Sequence, residues 1–152
     1  MEAWRQRVID EAQTWLRTPW MHNQCVKGAG VDCGRLLIGV HVAAGLVEEF
    51  DVGEYQADWM LHQAEERYLG WVLKYMDEVD QPKSADVAMW HFGKCFSHGG
   101  IVVDWPTVIH AYRPEKAVGY GDASKGVLAR HHLETGGSIP RQVRFFSIEK
   151  RL

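Results

Sequence analysis

One change of rhythm governs what this chain can become. As far as residue 76 the apolar residues recur at helical spacing, and beyond a break at 77–84, which contains Pro82, they alternate with period two. Helices first and strands afterwards give an α+β fold, and the short connections favour antiparallel pairing. The first helix is expected over 2–17, with Trp4, Val8, Ala12, Trp15 and Leu16 on one face and Thr18-Pro19 as its stop. A second runs from Cys33 through Leu36, Leu37, Val40, Ala43 and Ala44 to Gly45. A third reading, one or two helices, covers 58–76 with Trp59, Leu69, Val72, Leu73 and Met76 inward. Strands are expected at 86–92, 98–103, 107–113, 117–120 and 143–149, with a helix or irregular insertion at 124–134 and a turn at 136–140. A chain of 152 residues with these elements is expected to form a single domain over 1–152.

The stretch Gly28-Ala29-Gly30-Val31-Asp32-Cys33 delivers a cysteine to the first turn of the second helix. Unpaired N–H groups and the positive end of the helix dipole favour a thiolate there, the form that attacks carbonyls. Cys33 is therefore a nucleophile candidate, with a small buried hydrophobe as the plainer alternative. An activated thiolate would be alkylated ahead of Cys25 and Cys95. Asp32 suits an N-cap. The oxyanion donor would be the Cys33 N–H, with a second from the polar loop over 20–30.

A cysteine hydrolase also needs an imidazole and a group to orient it. His98, on the strand after Phe96-Ser97, and His110, within Val108-Ile109-His110-Ala111, supply them. If an odd-length turn such as Asp104-Trp105-Pro106 joins their strands, residue 98 pairs with 112 and 100 with 110. The two histidines are then diagonal neighbours on one face, with Cβ atoms somewhat under ~7–8 Å apart. An even-length turn would separate them. Gly99 and Gly100 are weak strand formers that let the cysteine helix come close.

Asp32-Cys33-Gly34-Arg35-Leu36-Leu37 and His98-Gly99-Gly100-Ile101-Val102, followed by His110, resemble the NlpC-type cell-wall peptidase family. The family's patterns are close to Asp-Cys-Ser-Gly-Leu-Val and His-Val-Gly-Ile-Tyr. Thr18-Pro19-Trp20 with Val26-Lys27-Gly28 is most similar to its phage tail-associated branch. The resemblance implies a papain-like fold, with helices packed on a C-terminal antiparallel sheet, and catalysis by Cys33, His98 and His110 without a cofactor or metal. The implied substrate is the peptide stem of peptidoglycan, cut between γ-D-glutamate and a diamino acid. Trp20 and Asp32 would lie at the substrate or oxyanion side. Gly34 and Arg35 replace the small pair after the cysteine, and Trp20 replaces a tyrosine common in relatives; these departures bear on substrate fit and turnover.

A formal charge of −3 with no basic cluster excludes an electrostatic footprint for nucleic acid. Three cysteines, an odd number, argue against a disulfide framework and fit synthesis in a reducing compartment. The N-terminus reads as a mixed-charge helix rather than a secretory signal, and no apolar run approaches the roughly 18 residues of a membrane span. A wall-degrading enzyme of this kind would be carried to its substrate, as by a phage tail, with tail tip proteins as partners. Three rivals stand beside the peptidase. His22-x2-Cys25 and Cys95-x2-His98 have the spacings of a zinc site; a tail component could keep the fold without turnover; and an amidase or acyl-transfer enzyme could use the same group.

Overall fold

The computed structural model describes residues 1–51, 53 and 67–152. Helix α1 (Ala3–Thr14) buries Arg5, Val8, Ile9 and Ala12, one helical face. It ends three residues short of expectation because Arg17 adopts a left-handed conformation, φ 73°. The chain then runs alongside strand β7 (Ala117–Asp122). Arg17 N–H donates to Val118 O at 2.9 Å, Val118 N–H to Thr18 O at 2.9 Å and Trp20 N–H to Lys116 O at 2.8 Å.

Two short strands, β1 (Cys25–Val26) and β2 (Gly30–Val31), form a hairpin inside the expected polar loop. Helix α2 (Cys33–Ala43) follows, and Gly45 at φ 75° turns the chain out of it. Helix α3 (Arg67–Tyr75) is the described part of the expected 58–76 helical region; Trp59 and its neighbours lie outside the described residues.

Strands β3 (Asp77–Val79), β4 (Val87–Phe92), β5 (Cys95–Asp104), β6 (Thr107–Tyr112), β7 and β10 (Val143–Ser147) form one antiparallel sheet in the order β3-β10-β4-β5-β6-β7. Three expectations are corrected here. The supposed break contains edge strand β3, which pairs with β10. In the region expected as a helix or irregular insertion, the four-residue helix α4 (Gly126–Ala129) agrees with the helix reading, but an unexpected strand β8 (Arg130–His132) follows it. The supposed turn holds β9 (Ser138–Pro140), paired with β8 in an exposed hairpin. Short ladders of polar, exposed residues carry almost no hydrophobic period, so the pattern that located the core strands had nothing to register.

The helices cover one face of the sheet, where Val87, Met89, Ile101, Ile109, Ala111 and Phe146 meet Val8, Leu36, Leu37, Val40, Leu69 and Val72. The opposite face carries a smaller cluster of Ala88, Trp90, Val102, Val108 and Leu128. Arg5, to which the sequence pattern assigned nothing, ties α1 to both ends of the sheet region. It donates to Ser84 O at 2.7 Å and to Asp86 and Glu149 carboxylates at 2.8 and 2.7 Å. Pairing of this kind is what lets a guanidinium be buried. Among the described residues no helix is long and apolar enough to cross a membrane.

Candidate functional site

Asp32 fastens the start of α2. One carboxylate oxygen accepts from Arg35 N–H at 2.9 Å, as an N-cap does, and the other from Asn23 N–H at 2.8 Å. The same buried side chain therefore fixes the helix start and the loop before it. Cys33 is the first residue of the helix, and its thiol donates to Ser97 O at 3.5 Å. The N–H groups of Gly99, Gly34 and Cys33 itself favour a charged sulfur, but burial outweighs them. Burial first, and the neighbouring Asp32 carboxylate second, push the Cys33 thiol up to about 12. The pull toward a thiolate expected from helix position is thus opposed by the surroundings of Cys33, whose side chain is half-buried and lies beside a carboxylate. Cys25 is exposed and Cys95 buried, so Cys25 rather than Cys33 is the first target for an alkylating reagent.

One of two irregularities in β5 brings His98 and His110 together. The turn to β6 is the two-residue Trp105-Pro106, an even length that would have separated them. A bulge between Val102 and Asp104 inserts one residue and restores the offset, giving Val102↔Val108 and Ile101↔Ile109. A second bulge leaves Ser97 unpaired between Trp90↔His98 and His91↔Phe96. The sulfur of Cys33 rests on that bulged segment. His98 Nε2 and His110 Nδ1 stand 2.8 Å apart, and both side chains are buried. Trp90, Phe92 and Tyr112 rings surround His98 at 5.7, 5.3 and 5.3 Å between centroids. Burial holds His98 well below its ordinary range, with the charges of His110 and Arg141 acting in the same direction, and lowers His110 to about 4.

The thiol thus touches β5 at the carbonyl immediately before His98, while no hydrogen bond joins Cys33 to His98 among the described residues. Among the described residues His98 Nδ1, the ring nitrogen not engaged by His110, likewise makes no hydrogen bond. Trp20, half-buried, packs against the helix-side core with the Arg113 guanidinium 5.3 Å from its ring. The zinc reading is not supported. Cys25 Sγ donates to Arg35 O, His98 is bonded to His110, and no three metal-ligating side chains are gathered among the described residues.

Three participants carried no sequence signal. Tyr68 from α3 fills the space beside both glycines of the two motifs: a Cβ at Gly34 would lie 3.0 Å from its ring and one at Gly99 3.1 Å from its hydroxyl. The serine of the family pattern at Gly34 would crowd this ring, and the valine at Gly99 would meet Leu37 at 2.8 Å before the Tyr68 hydroxyl, so both glycines leave room for the same neighbourhood. Gly121 makes room for His110, whose Nε2 would lie 2.7 Å from a Cβ there. Arg141 stacks 3.7 Å from the Phe92 ring centroid and donates to Val127 O and His91 O at 2.8 and 2.7 Å. Such contacts form across strands and layers, beyond the reach of local periodicity.

No family model and no curated protein sequence matches the chain. Solved structures do. The NlpC/p60 domain of the peptidoglycan hydrolase SagA aligns with a TM-score of 0.56 at 20% identity, over 79% of this chain and 90% of that one. NlpC1 from Trichomonas vaginalis aligns with a TM-score of 0.62 at 14% identity, over 81% of this chain and 40% of that one. An NLP/P60-family protein from Staphylococcus aureus, described as similar to a lipoprotein, gives 0.58 at 17% identity over 93% and 41%. The fold is therefore the α+β arrangement of NlpC/p60 domains, with N-terminal helices packed on an antiparallel sheet.

Proposed function

We propose that this chain is a cysteine peptidase that hydrolyses the peptide stems of peptidoglycan. The observation that carries the reading is the seating of Cys33, at a capped helix start, on the β5 backbone beside His98, whose far nitrogen is held by His110. The thiol and imidazole begin neutral, and substrate binding brings them into a reacting pair. The Cys33 proton passes to His98 Nδ1 as sulfur attacks the scissile carbonyl, and the Cys33 and Gly34 N–H groups receive the developing oxyanion. His98 returns the proton to the departing amine as the C–N bond breaks, leaving a thioester. Water, deprotonated by His98, then releases the acid and restores the thiol. Arg141 has no carboxylate partner among the described residues, and its charge beside His98 suits a substrate bearing carboxylates.

The finer reading is a γ-D-glutamyl–diamino acid endopeptidase borne on a phage tail. It rests on the Cys33, His98, His110 order and the Thr18-Pro19-Trp20 segment. The test is incubation of the protein and its Cys33→Ala variant with defined muropeptides, with products read by mass spectrometry. Cleavage at the D-glutamyl bond by the parent alone is expected. Failure to cut any stem peptide, together with incorporation into tails, would assign the chain to tail structure.

A further inference from the structure

The 2.8 Å bond between His98 Nε2 and His110 Nδ1 can hold its proton in two ways. In one, His98 carries hydrogen on Nε2 and donates to His110, leaving Nδ1 bare to accept a proton from Cys33. In the other, His110 donates from Nδ1, and His98 must carry its hydrogen on Nδ1, where it cannot act as a base. The bond itself does not distinguish them, because donor and acceptor are the same two atoms.

The distinction is made at the far end of the pair. His110 is 1% exposed, and its Nε2 is buried with no hydrogen-bond partner among the described residues. The carboxylate facing this nitrogen is that of Glu115, with Oε2 at 3.7 Å. Glu115 ends the short 3-10 turn Arg113–Glu115, which closes on Lys116 in a left-handed conformation before β7 begins, and its side chain is about half exposed. In the first proton arrangement the buried Nε2–H points at a carboxylate. In the second a bare lone pair faces the same negative charge, which is repulsive.

We infer that Glu115 is a positioning residue that selects the productive tautomer of both histidines, acting on His98 through His110. The inference rests on the proposed peptidase reading for its purpose, but not for its test. Gly121 belongs to the same device, since a side chain there would occupy the space of the His110 ring edge. Arg141 acts on His98 from the Phe92 side and disfavours its protonation, so a negative group beyond His110 is also the counterweight when His98 takes the thiol proton.

Long-range 1H–15N spectra of the imidazoles read the tautomers directly, whether or not a substrate is known. The parent is expected to show His110 protonated on Nε2 and His98 on Nε2. Glu115→Ala should move both toward the Nδ1-protonated form, and Glu115→Asp, which keeps the negative charge on this turn, should stay nearer the parent pattern. With muropeptide substrate, Glu115→Ala should lower kcat by about tenfold with KM little changed. Unchanged tautomers in Glu115→Ala would overturn the inference even if the enzyme cleaves stem peptides. The parent pattern lost in Glu115→Ala would sustain it even if no stem peptide is cut.

Discussion

The two faces of the sheet are built for different ends. Under the helices, Leu36, Val40, Ile101 and Ile109 are fully buried and apolar, and the only demand on them is volume. On the opposite face a buried imidazole pair sits among Trp90, Phe92 and Tyr112, where each nitrogen must find a partner or stay neutral. The first face tolerates loss of chemistry but not of shape. The second depends on polar atoms whose burial costs stability unless they are bonded. Strand β5 serves both, and Cys33 reaches it from the helix layer at the bulge beside His98.

The largest expected effect lies on the imidazole face. His98→Ala should reduce turnover by ~10²–10⁴-fold while far-UV circular dichroism stays that of the parent, since general acid–base transfer is lost and the helix-side core is intact. Retained turnover would remove the imidazole from the chemistry. Leu36→Ala, on the other side, should leave the resting site assembled but lower stability by about 2–5 kcal/mol in urea unfolding, because its site cannot fully collapse. A smaller cost would mean that the helix layer relaxes freely over the sheet.

Gly99→Val tests the seam between the faces. Its side chain would meet Leu37 at 2.8 Å and the Tyr68 hydroxyl at 3.1 Å, so a loss of ~1–3 kcal/mol is expected, and Tyr68→Ala in the same chain should recover part of it. No recovery would show that Leu37, not Tyr68, sets the space.

The smallest effect is the pH dependence of stability. His98 and His110 have folded-state values below the ordinary 6.5, by burial, so the unfolded chain binds more protons in acid. Their contribution is complete above about 6.5 and declines as pH falls toward 4 and below. His41, lowered by burial on the helix side, adds in the same direction. A His98→Gln, His110→Asn double variant should flatten this decline and leave the part due to His41. An unchanged slope would place the acid sensitivity elsewhere.

By itself the sequence determined the α+β class, the positions of α2 and the long strands, and the Asp32 cap. Each is written in local spacing: Leu36, Leu37 and Val40 at helical intervals, alternation through Val87–Phe92 and Thr107–Tyr112, and an aspartate one residue before the helix. Tertiary structure decided the register of the histidines, because the bulge near Val103 depends on how β5 lies against β6 and not on the residues of the turn. It set the balance at Cys33, because a helix start exposed to water favours a thiolate, whereas desolvation beside Asp32 pushes the other way. It also decided what the motif glycines make room for, since Tyr68, against which both of them pack, lies more than thirty residues from each in the sequence. Local pattern reports which surfaces must be covered; only the assembled layers determine which side chain covers them, and whether a buried proton stays or leaves.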